Sequence, residues 1–426
     1  MSAGVSLASW VPTTWMLIMA SRPIGAWFKN AGSYSIAEGS KYDRIVLSIL
    51  IFLGIWILSN RRMDWSKIIK DNRLLILLYV YLGISILWSD YPFISFKRWF
   101  KITGTVVMSF VILSEDNPLK ALLSILRRSA YILIPLSIVL IKYFPEYGVQ
   151  YSRWEGVRMA TGVTTHKNSL GVLCAFSSLT LIWAFFRGRK MEKAHWLRAA
   201  GSADLLVIAI SLFLLFGGES GTYSATSILI FSVGMLLYIS LERTKSFSST
   251  VSNNFRMLVL VGVVVVVLFR NLLLPPILES LGRNETLTDR AYIWASVLAI
   301  ASRHPVLGTG YGGFWGLKSE AITSRYGVLQ AHNGYLDVYL QVGVIGIIFL
   351  SLFLLELCGK ARNMTSYDKD LGVLSICFVI MILLYNYSEA GFIETNCMWT
   401  IAVFLTGVLT IPSLYEKRDN VNRLPP

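Results

Sequence analysis

The sequence predicts an all-α integral membrane protein: a bundle of about twelve transmembrane helices (10–12), with one large outward loop containing short helices. Three observations carry this. The 426 residues are 54% hydrophobic and only 15% charged, with a mean hydropathy of +0.58, which lies outside the composition of soluble domains. Apolar runs recur near 5–20, 45–59, 74–88, 102–114, 129–141, 169–186, 203–217, 224–241, 257–271, 336–357, 371–387 and 397–414. Each is helix-length rather than strand-length, and about 20 apolar residues span a bilayer.

The elements divide the chain into three. Residues 1–271 give transmembrane helices 1–9 with short loops, 272–335 the large outer loop, and 336–426 transmembrane helices 10–12 and an inner tail. The run 102–114 is short, so it reads as a tilted, broken or buried segment. No basic n-region or cleavage site precedes the first run, so it is expected to stay as a helix. Of the 39 Lys and Arg residues, 22 fall in alternate connections and the tail, including Arg61-Arg62 and Arg187-Gly188-Arg189-Lys190. That bias predicts both termini inside. The remaining cations face outward, where an anionic ligand or anionic headgroups would explain them. The net charge of +14 therefore reflects membrane topology, and no nucleic-acid partner is expected. Cys174, Cys358, Cys377 and Cys397 lie in or beside apolar runs without metal-ligand spacing, so they read as core thiols and no metal site is expected.

Chemistry should sit where the apolar runs stop for longest. The outer loop begins at Pro275-Pro276 and carries Arg283, Arg290, Arg303, Lys318 and Arg325. Within it Ala291, Trp294, Leu298 and Ala301 recur at helical spacing, with Thr288 as N-cap and His304-Pro305 ending an amphipathic helix. Arg290 then sits in a first turn, where the macrodipole disfavours a cation by up to ~1 kcal/mol. Either Asp289 compensates, or Arg290 and the free N–H groups hold a phosphate. The glycine-dense stretch Pro305 to Gly313 lacks the strand and lysine of a nucleotide loop and reads as flexible backbone beside a ligand. At the membrane boundary, Asn333 suits a cap for a helix starting at Gly334-Tyr335, and His332 is placed to act as a base or hydrogen-bond donor.

Two further outward loops add cations. Arg158 precedes His166, Lys167 and Asn168 at the start of the 169–186 helix, although interface snorkelling explains Lys167 equally well. Lys97, Arg98 and Lys101 share one helical face after Trp88 to Pro92. The acidic counterparts are Glu219, Glu389 and Glu394. An outward set of Arg, His and Glu suits an enzyme handling a pyrophosphate and sugar hydroxyls at the lipid surface.

Arg158 with Gly162 and His166-Lys167-Asn168-Ser169-Leu170-Gly171 is the first of these motifs. Leu287-Thr288-Asp289-Arg290 with Trp294 and Pro305-x-x-Gly308-x-Gly310 follows, and then His332-Asn333-x-Tyr335-Leu336 with Gly343-x-x-Gly346. In order and spacing they resemble the O-antigen ligase and polysaccharide polymerase superfamily over about residues 15 to 410. Thr164 to Asn168, Ser21-Arg22-Pro23 through Trp27, and Glu38 to Arg44 look most like its exopolysaccharide polymerase branch.

The resemblance implies a multi-pass protein of the bacterial inner membrane whose large loop and active site face the periplasm. It implies a polyprenyl-diphosphate-linked glycan donor, a glycan acceptor, and glycosyl transfer with no metal or cofactor. Chain-length regulators and export proteins would be partners. Carried over by motif, Arg158 and Arg290 bind the donor pyrophosphate and His332 assists the acceptor hydroxyl. His166, Lys167, Asn168, Arg98, Asn333, Tyr335 and Glu219 are expected to bind substrate. Where the family usually has Gly-Arg or Ser-Arg, this chain has Asp289-Arg290. The reaction would be polymerisation of lipid-linked repeats into exopolysaccharide or O-antigen. A ligase moving finished glycan onto lipid A core is the alternative. A transporter or flippase is the third reading, but such proteins favour repeated halves and midplane charges, and no repeat is seen here.

Overall fold

The computed structural model describes residues 5–28, 40–151, 156–190, 201–217, 222–243, 290–315, 319, 322–323 and 328–410. The apolar run 257–271, Glu219, the Arg290 side chain and the C-terminal tail lie outside the described residues.

Helices dominate: α1 (Trp10–Met19), α2 (Lys41–Ser59), α3 (Trp65–Asp71), α4 (Arg73–Ile84), α5 (Pro92–Leu113), α6 (Pro118–Tyr143) and the single turn α7 (Pro145–Gly148). A small antiparallel hairpin follows, β1 (Val149–Tyr151) against β2 (Arg158–Ala160), pairing Tyr151 with Arg158. Then come α8 (Lys167–Lys190), α9 (Gly201–Phe216), α10 (Ala225–Arg243), α11 (Arg290–Ala301), α12 (Gly334–Tyr367), α13 (Lys369–Ser388) and α14 (Cys397–Val408).

Among the described residues, α2, α6, Lys167–Gly188 of α8, α10, α12 and α13 are six helices long and apolar enough to cross a membrane. A seventh span arises if Trp65–Asp71 and Arg73–Trp88, bent by 83°, count as one. The bend falls at Asn72, which is fully buried; its side chain donates to the Ile68 carbonyl and accepts from Lys360 Nζ at 3.0 Å. The run 102–114 is largely buried among its neighbours, one of the readings its shortness allowed, and forms the second half of α5, which runs 22 residues from Pro92 through Lys97, Arg98 and Lys101. Proline at a first turn costs no hydrogen bond, which makes Pro92 a natural start.

The bundle has an inside and a rim. All twelve residues of α14 are buried, and Trp399 packs edge-on against Phe353 and Phe392 at the centre. On α2, by contrast, Ile49, Phe52 and Trp56 are 52%, 63% and 66% exposed. A continuous apolar rim of that kind is what lipid would cover.

Polar contacts separate the two ends of the bundle. At one end Arg61 binds Glu115 at 2.7 Å, Ser6 donates to the same carboxylate, and Arg187 makes a two-pronged pair with Asp368 at 2.6 and 2.7 Å. The other end gathers the starts of α5, α8, α10, α12 and α14 with the ends of α6 and α13.

The segment before α12 folds onto this second end. Ile293, Val297 and Ala301 of α11 join Phe314, Trp315, Ala331 and Leu340 in a small core of their own. Of the predicted stripe, Ala301 is buried and Trp294 packs against this core, whereas Leu298 is 45% exposed and Ile293 and Val297 take buried positions instead. The glycine-dense stretch also differs from expectation. Residues 308–315 are buried and tied down at nearly every step. Thr309 donates to the Leu340 carbonyl, Gly312 N–H to Gln341 Oε1, Tyr311 N–H to Ser85 Oγ, and Val344 N–H to the Pro305 carbonyl. It is a structural plug against α12, not a flexible strap. Its docking point is Gly343, where φ 66° and ψ −165° break the helix and leave backbone groups for the plug to satisfy.

Candidate functional site

His332 lies at the mouth of α12 with φ 50°, a left-handed conformation that costs a non-glycine residue about 1–2 kcal/mol. Its neighbours impose it. On one side Ala331 is pinned, its carbonyl accepting from Trp294 Nε1 at 2.7 Å and its N–H donating to Asp337 Oδ1 at 3.0 Å. On the other, Asn333 caps α12 by accepting from the Leu336 N–H at 3.0 Å and donates to the Tyr387 carbonyl. Gly334 N–H then donates to the Glu389 carbonyl at 2.9 Å. No side chain fits at 334, since a Cβ there would stand 2.0 Å from Asn386 Oδ1.

The imidazole is held too. His332 Nδ1 lies 2.9 Å from Glu389 Oε2, whose side chain is 2% exposed, while the His332 side chain is 20% exposed. An ionised carboxylate there accepts from an Nδ1–H, whereas a protonated one donates to Nδ1. With the proton on Nδ1, Nε2 keeps a lone pair able to receive a proton from a hydroxyl group.

The α13–α14 connection extends this site. Asn386 Oδ1 accepts from Gly391 N–H, Asn396 Nδ2 donates to the Gly391 carbonyl, and Tyr311 OH donates to the Ile393 carbonyl. Glu394 follows directly. Its side chain keeps solvent-accessible surface among the residues packed around it. Burial pushes its carboxyl above the usual carboxylate range, against the opposing pull of Arg98 and Lys101. Arg98 is fixed in turn by donation from Nη1 to the Gly312 carbonyl.

A second cationic group stands at the same end. Arg158 is exposed on β2, beside Tyr223 and near the Ile141 carbonyl. His166 Nδ1 accepts from the Asn168 N–H at 3.2 Å and so shapes the first turn of α8, while Lys167 begins that helix. Arg22 holds this whole segment in place. Its guanidinium donates to the carbonyls of Tyr147, Gly162, Val163 and Thr164 and stacks on Trp27 at 4.7 Å. The path to His332 runs through α10: Ser227 Oγ donates to the Asn168 carbonyl, and Ser388 Oγ, next to Glu389, donates to Thr226 Oγ1.

The family model described as O-antigen ligase matches residues 206–351. The chain is also 26% identical over 402 residues to the exopolysaccharide production protein ExoQ of Rhizobium meliloti (strain 1021), a match covering 89% of this chain and 86% of that one. Together they support the O-antigen ligase and polysaccharide polymerase superfamily. The superfamily match contains Arg290 and His332, whereas Arg158 and His166 precede it.

Of the residues expected from the superfamily motifs, Asn333 and Tyr335 are brought beside His332, with Tyr335 OH donating to the Leu383 carbonyl at 3.2 Å. The Asn333 side chain serves as the α12 cap, and the Asn168 main-chain carbonyl accepts from Ser227 Oγ. Arg98 belongs to the Glu394 flank, Arg158 and His166 to the Arg22 flank. Arg290 starts α11, its side chain outside the described residues, as is Glu219. Sequence reasoning noted Glu389 only as an outward acid and did not pair it with His332, because a separation of 57 positions conceals a contact made by two antiparallel helices.

Proposed function

We propose that the chain is a membrane glycosyltransferase that polymerises polyprenyl-diphosphate-linked oligosaccharide repeats into exopolysaccharide or O-antigen. It works at the periplasmic face of the bacterial inner membrane, in a bundle of about twelve spans. The observation that carries this reading is that His332, Arg158, His166 and Arg98 all open at one end of the bundle, in a chain whose relatives are a glycan-ligase family and an exopolysaccharide production protein.

A hydroxyl of one repeat attacks the anomeric carbon of the lipid-linked sugar. The new C–O bond forms as the bond from that carbon to the diphosphate oxygen breaks, and the polyprenyl diphosphate leaves with the electron pair. The hydroxyl proton passes to His332 Nε2, a role worth ~10²–10⁴-fold in rate. Arg158 and Arg290 neutralise the charge growing on the departing diphosphate, as guanidinium groups do for other phosphoryl oxygens, so no metal ion is required. A single displacement of this kind inverts the anomeric centre.

The description of the matching family as a ligase favours a second reading, transfer of a finished glycan to lipid A core. Glycolipids from a deletion strain separate the two: single lipid-linked repeats accumulate when a polymerase is missing, and full-length lipid-linked chains when a ligase is. His332→Ala supplied in place of the wild type should restore protein level but not chain growth. Polymer of normal length from that strain would remove His332 from the reaction.

A further inference from the structure

We propose that Glu389 is a positioning residue that selects the reactive tautomer of His332. This rests on the glycosyl-transfer reading above, and adds to it a residue that acts through the imidazole without touching substrate.

Glu389 closes α13 at a position where the chain turns outward with extended geometry, φ −142° and ψ 163°. Two of its groups reach the same neighbour. Its carbonyl accepts from Gly334 N–H, one peptide beyond Asn333, and its Oε2 lies 2.9 Å from His332 Nδ1. The segment bearing the histidine is therefore gripped by both the backbone and the side chain of one residue. Gln330 Nε2 also approaches Nδ1, at 3.4 Å, and an amide N–H there would prefer an unprotonated Nδ1. An ionised Glu389 outweighs this, because its contact is shorter and charge-assisted hydrogen bonds are about twice as strong as neutral ones. A proton on Nδ1 leaves Nε2 basic, whereas the opposite tautomer would turn Nε2 into a donor and remove the base.

Substituting Glu389→Gln keeps the shape but makes the partner an amide, able to rotate and donate to Nδ1. In serine proteases the matching change leaves geometry intact and costs about 10⁴ in rate through the wrong tautomer. The test uses full-length protein labelled with ¹⁵N-histidine, with the His332 signals identified by their loss in His332→Gln. The wild type should show Nδ1 protonated. Glu389→Gln should shift the population toward protonated Nε2 and lower turnover on lipid-linked oligosaccharide by about 10²–10⁴-fold, with KM for the donor little changed. Glu389→Asp, which keeps the charge but shortens the reach, gives a second reading if the amide variant does not accumulate. An unchanged tautomer, or a changed tautomer with wild-type turnover, overturns the proposal. Because the nitrogen signals are read without turnover, a fully active His332→Ala would defeat the catalytic reading while leaving the tautomer contrast to stand by itself.

Discussion

A single arginine carries much of the burden of ordering the Arg158 loop. Arg22 is 8% exposed, and its cation is stabilised by four carbonyls and an indole face, an arrangement a planar fork makes and a point-like ammonium cannot. Arg22→Lys should therefore strand carbonyls in a water-poor setting at a cost on the order of 3 kcal/mol. It should also raise the KM for lipid-linked donor, since Arg158 and His166 ride on the segment it ties. Thermal unfolding together with donor titration checks both parts, and unchanged values for each would show the clasp to be ornamental. The residue was visible in the sequence only as part of a Ser21-Arg22-Pro23 resemblance, since nothing local reveals that its partners lie more than a hundred residues away.

Elements tell a different story about what a sequence exposes. All six membrane-length helices among the described residues coincide with predicted apolar runs, because burial in lipid demands long apolar runs whatever the fold. By contrast, α1, α9 and α14 are shorter than the spans expected at their positions. Local pattern failed where tertiary contact overrode it. In α11 Ile293 and Val297 take the buried positions beside Ala301 while Leu298 is exposed, and the glycine stretch is buried and hydrogen-bonded instead of flexible. The plug shows why. Glycines at 308, 310 and 312 all have positive φ, and a Cβ at 308 would stand 2.5 Å from the α12 backbone. Such close approach reads in the sequence as flexibility when it is the opposite. At Gly343 a Cβ would meet the Val306 carbonyl oxygen at 2.2 Å, in a backbone region open essentially to glycine alone. Gly343→Ala should destabilise the fold by about 3 kcal/mol or more, visible as loss of detergent-stable protein. Wild-type thermal stability in that variant would mean that the break in α12 is not fixed by the plug.

At the scale of the whole molecule, polar contacts are sorted by end. The cluster opposite the His332 end makes a pH prediction with a definite sign. Burial acts to raise the Glu115 carboxyl, but hydrogen bonds from Ser6 and Arg61 and the charge of Arg61 outweigh it and hold it below its ordinary value of 4.5. A carboxylate depressed in the folded state contributes stability above its unfolded pKa and loses it as pH falls through the folded one. Glu115→Gln should thus unfold at lower temperature than wild type at neutral pH, with the gap closing as pH drops below about 4.5. A gap independent of pH would remove Glu115 from the ionic linkage.

The His332 end holds the chemistry, and the central claim is that the chain itself joins sugars there instead of carrying them across the bilayer. Purified protein in detergent, with no vesicle present, incubated with lipid-linked oligosaccharide tests this most directly. The account predicts products longer than the substrate from wild type and none from His332→Ala. Intact substrate from folded wild-type protein, or equal elongation by both, would contradict it.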